Sequence, residues 1–239
     1  MSDSLIINEI YLSLQGESTW AGLPCLFVRL TACNLRCSYC DTAYAFTEGK
    51  KTTLAQIRAR IRQLARPFAP SLPLVELTGG EPLLQKNALP LMKHLCDDGF
   101  TVLLETSGAL DIAPVDPRVR RIMDLKCPSS GESGRNRWEN LAHLKKTDEV
   151  KFVIGTWQDY HWAKEIVLTR GLAGVCTALF SWVSPLLPPQ RDKSLRPVPD
   201  GHVPLSMREL VEKIVADALP VRFQLQMHKF IWPPDQRGV

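Results

Sequence analysis

The 239-residue sequence predicts an α/β fold, a parallel sheet with outer helices curled into a partial, incomplete β/α barrel. Two observations predict it. Apolar, β-branched runs alternate with helical patterns, and the predicted strands end in polar or charged residues. The strand-like runs are Pro24–Leu30, Leu74–Thr78, Thr101–Glu105, Arg121–Leu125, Val150–Ile154, Val175–Phe180 and Arg222–Met227. Their ends carry Glu76 and Thr78, Glu105 and Thr106, Asp124 and Lys126, and Lys151. In β/α barrels the active site is built where strands end, so these residues suit a barrel with a ligand inside. They also suit salt bridges at the edge of an open sheet, and pattern alone leaves both open.

Four helices lie between the runs. The first carries Leu54, Ile57, Ile61 and Leu64 on one face, opened by a capping box of Thr53 and Gln56. The second starts near Asn87 as N-cap, tolerates Pro90 in its first turn and stops at Gly99. The third covers roughly Gln158–Arg170. The last opens with Ser206 and Glu209, another capping box, and runs to Ala218. Pro128–Arg137 and the Pro-rich Ser184–Pro204 read as loops. Neither separates halves that would fold alone, so residues 1–239 are expected to form a single domain.

Composition narrows the class. Hydrophobic residues make up 45% and charged residues 23%, as in an ordinary globular protein. No apolar run approaches the roughly 20 residues that span a bilayer, and Met1–Glu9 lacks the basic-then-apolar order of a signal peptide. A cytoplasmic protein with no membrane partner is expected. The net charge of +4 comes partly from Arg58, Arg60, Arg62 and Arg66 on the first helix. A solvated helix face accounts for it, and no direct nucleic-acid partner is expected.

Seven cysteines without a secretory signal argue against a disulfide framework. Cys25 and Cys176, in apolar runs, read as small buried hydrophobes. Cys33, Cys37 and Cys40 stand apart, spaced C-x3-C-x2-C with no fourth cysteine nearby. Three thiolates hold three irons of a [4Fe–4S] cluster, where full cysteine ligation needs four. The fourth iron is then open to a ligand. A zinc site would need a further ligand from a distant residue, and a redox pair would leave Cys33 unexplained.

Two further segments bear on this. Leu77-Thr78-Gly79-Gly80-Glu81-Pro82 follows a predicted strand, where glycines allow close backbone approach and a carboxylate can meet an ammonium. Glu105-Thr106-Ser107-Gly108 ends the next strand. With the cysteine spacing and Tyr39 before the last cysteine, these segments resemble the radical S-adenosylmethionine superfamily. The resemblance implies that the open iron chelates S-adenosylmethionine and that an electron from the cluster cleaves it to a 5′-deoxyadenosyl radical. The protein itself supplies orientation and excludes water.

Asn8-Glu9-Ile10, Leu14-Gln15-Gly16-Glu17, Arg29, Cys40-Asp41-Thr42 and the closing Gln224-Leu225-Gln226-Met227-His228-Lys229 resemble the 7-carboxy-7-deazaguanine synthase family. The resemblance runs from Asn8 to Lys229. It implies conversion of 6-carboxy-5,6,7,8-tetrahydropterin to 7-carboxy-7-deazaguanine with release of ammonia, towards queuosine and related 7-deazapurines. It implies substrate contacts from Leu14, Gln15, Gly16, Glu17, Arg29, Thr78 and His228, and Mg²⁺ at Thr42. It assigns S-adenosylmethionine contacts to Tyr39, Cys40, Asp41, Gly80, Glu81, Glu105, Ser107, Asp124, Leu125, Lys126, Ser184 and Pro185. Asp124-Leu125-Lys126 stands where the family has Ser-Pro-Lys, and Phe230–Val239 receives no contact. The chemistry agrees: Arg29 offers a cationic fork for a carboxylate, Gln15 and Glu17 suit a pyrimidine edge, and Thr42 gives a hard oxygen for Mg²⁺. His228 suits a hydrogen bond or proton exchange. The family also implies an external electron donor of flavodoxin or ferredoxin type, and a homodimer. The alternative is an activase that installs a glycyl radical on a partner protein.

Overall fold

The computed structural model describes residues 3–239; Met1 and Ser2, which open the segment read for a targeting signal, lie outside the described residues. Among the described residues, nine strands form one sheet. They are β1 (Ser4–Leu14), β2 (Pro24–Leu30), β3 (Lys50–Thr53), β4 (Leu74–Gly79), β5 (Val102–Thr106), β6 (Arg120–Asp124), β7 (Glu149–Ile154), β8 (Thr177–Trp182) and β9 (Arg222–Gln224). The order across the sheet is β3-β1-β2-β4-β5-β6-β7-β8-β9. From β2 to β9 every neighbouring pair is parallel, while β1 pairs antiparallel with both β2 and β3. The ladder ends at β3 and β9 without closing, and this leaves a partial barrel.

The predicted strands are present with small shifts. β9 stops at Gln224 because the chain turns into a short helix, α5 (His228–Ile231). Two strands were not legible as such. β1 is mostly half-buried and interrupted by Asn8 and Glu9, and β3 reads Lys-Lys-Thr-Thr, with no apolar residue to pack. Backbone pairing of Lys50–Thr53 with Ser4–Ile7 makes β3 a strand.

The four longer helices are α1 (Leu54–Ala65), α2 (Ala88–Asp97), α3 (Trp157–Thr169) and α4 (Met207–Ala216). Both expected capping boxes form, and a third opens α3 from Thr156 and Asp159. Asn87 precedes α2 as expected, and its amide donates to the Ser4 carbonyl at 2.9 Å. The helices bury Ile57, Ile61, Leu91, Leu95, Tyr160 and Leu210 against Val28, Val75, Leu104, Phe152 and Phe180 of the sheet. Among the described residues no α-helix joins β5 to β6 or β6 to β7; these crossovers are loops with short 3-10 turns. No described helix is long and apolar enough to cross a membrane.

One of those loops aims the cysteine segment. Asp159, fully buried, accepts from the Ser129 amide at 2.8 Å and from the Gly155 and Thr156 amides at 3.0 Å each. The Ser129–Ser130 turn so fixed accepts from the amide and hydroxyl of Ser38, at 3.0 and 2.7 Å. Glu132 continues the contact, taking the Arg36 amide at 2.8 Å. The start of α3 is thereby coupled to the loop between Cys33 and Cys40. Asp159→Ala would leave the buried Ser129 and Thr156 amides and the half-buried Gly155 amide unpaired, each costing about 1–3 kcal/mol. A loss of at least ~3 kcal/mol is expected in urea denaturation.

Candidate active site

The ends of the parallel strands open into one cavity of about 590 Å³. Its wall takes Arg29 from β2, Thr78 from β4, Glu105 from β5, Asp124 from β6, Lys151 from β7 and Ser184 beyond β8. Polar strand ends therefore converge, because parallel strands all present their ends to the same side of the sheet.

Cys33, Cys37 and Cys40 line one side of this cavity. Burial pushes the free Cys37 thiol up to about 12, against the pull of Lys126, and it raises Cys33 and Cys40 as well. Thiolates there call for a stronger cation, and metal coordination deprotonates a thiol outright. The hydroxyl of Tyr39 and one carboxylate oxygen of Asp124 are buried on the same wall with no hydrogen-bond partner among the described residues. Three thiols beside unsatisfied polar atoms fit an iron–sulfur cluster carrying a polar ligand. Among the described residues, no three His, Cys, Asp or Glu side chains converge as a single-ion site.

The glycine turn lines the cavity and also packs against the cysteine loop. A Cβ on Gly79, which has φ +136°, would lie 2.2 Å from the Leu30 carbonyl oxygen, and one on Gly80 would lie 2.0 Å from that of Ala32. The close approach is to the backbone that leads into Cys33. The amides of Gly80 and Glu81 donate to Leu30 and Ala32 at 3.1 and 2.8 Å. The Glu81 side chain, fully buried, faces away from the cavity. It accepts from the Thr106 hydroxyl at 2.9 and 3.0 Å, the Ser107 amide and hydroxyl at 2.7 and 2.6 Å, and the Leu83 amide at 3.0 Å.

Beyond the cysteines the cavity is highly charged. Lys126 donates to Asp124 at 2.6 Å; burial works against its charge, but Asp124 and the cysteines hold it above the ordinary lysine range. Arg29 donates to Glu9 at 2.7 Å and to the Tyr11 hydroxyl at 2.9 Å, with Tyr44 beside it. Glu17 accepts from Lys151 and Gln224 at 3.0 Å and from Gln226 at 2.9 Å. Burial opposes its charge, yet Lys151 and His228 bring it down to about 2. Gln15 bonds Glu76, whose carboxyl is pushed well above the carboxylate range by burial and by Glu105. Asp41 pairs with Lys229, which lowers it despite burial. Gly16 lies against His228, where a Cβ would meet the ring Nδ1 at 2.5 Å.

Residues 28–129 match the Radical SAM superfamily. The 7-carboxy-7-deazaguanine synthase of Koribacter versatilis is 46% identical over 236 residues, covering 98% of this chain and 99% of that one. This chain belongs to the 7-carboxy-7-deazaguanine synthase family. The synthase of Chlorobaculum tepidum is 42% identical, over 98% and 97% of the two chains. The crystal structure of QueE from Escherichia coli shares the fold at 22% identity, with TM-score 0.70 over 94% of this chain and 95% of that one. Family membership makes this chain a radical S-adenosylmethionine enzyme with a [4Fe–4S] cluster, acting on a small molecule in 7-deazapurine biosynthesis. It does not favour the activase alternative.

Among the sequence-derived site residues, Leu14, Gln15, Gly16, Glu17, Arg29, Thr78 and His228 line the cavity. So do Tyr39, Asp41, Thr42, Gly80, Glu105, Ser107, Asp124, Lys126 and Ser184. Three lie off its wall. Glu81 is beneath it, the Leu125 side chain belongs to the hydrophobic core, and Pro185 is exposed to solvent. Glu76 and Lys151, expected as polar strand ends, line the cavity; Glu9, Tyr11 and Tyr44 were missed as site residues, because β1 and β3 were not expected to bring their neighbourhood to the strand ends. The tail was missed too. Pro234–Val239 lines the cavity, with the Arg237 guanidinium 3.8 Å from the Tyr44 ring centre and 2.8 Å from Glu48.

Two outcomes follow from these contacts. Gly80→Ala must push the cysteine loop away, and overpacking of this sort costs about 1–3 kcal/mol; lower iron content after reconstitution is expected, read by iron and sulfide analysis. Arg237→Ala removes the cation over Tyr44, so carboxypeptidase should trim the tail faster than in the unaltered chain.

Proposed function

We propose that this chain converts 6-carboxy-5,6,7,8-tetrahydropterin to 7-carboxy-7-deazaguanine with release of ammonia. One observation carries the reading: a single cavity joins the cysteine wall to a wall bearing Arg29, Gln15 and Glu17. When bound, the cluster and S-adenosylmethionine supply radical initiation; the chain's own residues bind and orient the substrate.

The pterin carries a carboxylate at one end and the hydrogen-bonding edge of an aminopyrimidinone at the other. Arg29 takes the carboxylate, since its guanidinium is held in place by Glu9 and Tyr11. Glu17 stays ionised far below neutral pH and accepts from the amino and ring N–H donors at the other end. Gln15, fixed by Glu76 and by the Glu17 amide, completes that edge. With both ends held, C6 of the pterin is presented to the cofactor side, and orientation of this kind accounts for much of a rate enhancement. Lys126, paired with Asp124, lies beside the cysteines and offers a cation to the anionic cofactor groups. The tail covers the mouth and limits water.

Several further assignments belong to the same proposal. Thr42, with its hydroxyl 3.7 Å from the Cys40 sulfur, would hold Mg²⁺ through a hard oxygen, and the ion would supply charge stabilisation to the substrate there. Residues 1–239 form one domain, supported by the single sheet. The enzyme is a cytoplasmic homodimer fed by a flavodoxin- or ferredoxin-type donor, and its product leads to queuosine.

The test is anaerobic reconstitution with reductant, S-adenosylmethionine and Mg²⁺. Formation of 7-carboxy-7-deazaguanine from the pterin is expected, and its absence beside intact S-adenosylmethionine binding would sink the reading. Cys33→Ala, Cys37→Ala and Cys40→Ala should each abolish turnover.

A further inference from the structure

Lys151 is not among the residues that the family resemblance assigns to the site, but its ammonium stands between two of them. It projects from β7, is 4% exposed, and donates to Glu17 at 3.0 Å and to Glu105. Glu17 lies in the loop after β1, and Glu105 ends β5, where it also accepts from the Thr78 hydroxyl at 3.0 Å. One ammonium on β7 thus joins the end of β5 to the loop that carries Gln15.

We propose that Lys151 is a positioning residue for the reaction, fixing the Glu17 and Glu105 carboxylates across the cavity so that Glu17 meets the donor edge of the substrate. The proposal rests on the substrate class given above. The loop's other ties support it. Glu149, two residues earlier on the same face of β7, accepts from the Thr19 amide at 3.1 Å. Gln224 on β9 accepts from the Ser18 amide at 2.8 Å. Residues 17–19 are therefore clasped by the sheet one after another, and Lys151 is the only cation in that clasp among these contacts.

Its surroundings explain why a cation is required. Glu17, Glu105 and Asp124 act on Lys151, with Glu76 and Glu149 also close. Glu17 in turn faces Lys151 and His228, the amides of Gln224 and Gln226, and the carboxyls of Glu76 and Asp41. Without Lys151 these carboxyl groups crowd one end of a buried cavity, and like charges there cannot all ionise. Glu17 is held low now, so it binds as a carboxylate throughout the working range; loss of Lys151 raises it, and binding weakens as pH falls.

Lys151→Met and Lys151→Arg test this in the reconstituted enzyme. In Lys151→Met, KM for the pterin is expected to rise roughly tenfold to a hundredfold, the scale of one charge-assisted hydrogen bond. The rise should be larger at acidic pH than at alkaline pH, with a smaller effect on kcat. Lys151→Arg should recover most of the loss. A flat pH dependence in Lys151→Met, or an arginine variant as impaired as the methionine one while equally folded, would overturn the proposal. A second readout needs no substrate: urea denaturation in a double-mutant cycle with Glu17→Gln. Coupling between the two sites is expected, and additive effects overturn the proposal. If the unaltered enzyme makes no product while the coupling is found, the substrate reading fails and the Lys151–Glu17 linkage stands.

Discussion

The buried carboxylate of Glu81 is the joint on which the cofactor side of the site depends. Its two oxygens gather donors from Leu83, Thr106 and Ser107, so the turn after β4 and the end of β5 move as one piece. The same turn is pressed by Gly79 and Gly80 onto Leu30 and Ala32, the residues just before Cys33. A carboxylate enclosed in this way is tolerable only when its lone pairs are filled. The geometry of the cysteine loop is thus set from below by one saturated acid and from the side by the Asp159-anchored turn. Glycine is required where backbone must touch backbone.

Across the cavity, charge is arranged by a different logic. Glu17, Glu76, Glu105, Asp124 and Asp41 all line it. Lys151, Lys126 and Lys229 each sit against one or two of them, while Glu76 is pushed towards its neutral form. Buried pairs of this kind bring little net stability because desolvation offsets attraction. They hold side chains in fixed directions, which is what a site binding a polar heterocycle and a sulfonium cofactor needs.

Some of this was legible in residues close together in the chain. The cysteine spacing, the Gly-Gly-Glu turn and the Leu-Gln-Gly-Glu segment each concentrate their chemistry within a few positions. Capping boxes at Thr53 and Ser206 were equally local. What escaped was non-local. β3 has no apolar pattern and exists through pairing with β1. Tyr11, Glu9 and Tyr44 meet Arg29 only because that pairing brings them together. The tail returns to the cavity through Arg237, whose partners Tyr44 and Glu48 are nearly two hundred residues away.

The sequence by itself determined the α/β class, the three-cysteine motif and the family, because periodicity and motif spacing are properties of short stretches of chain. Only the tertiary structure decided the rest. It turned Glu81 inward, sent the Leu125 side chain into the core and placed Lys151 between Glu17 and Glu105. It also gave the C-terminal residues a wall of the cavity. The reason is physical: which way a side chain faces at a strand end depends on the neighbouring strand, and the neighbour is chosen by the packing of the whole sheet. Cys33, Cys37 and Cys40 announce a cluster from their spacing alone, whereas their setting is made by residues that the chain brings back from far away.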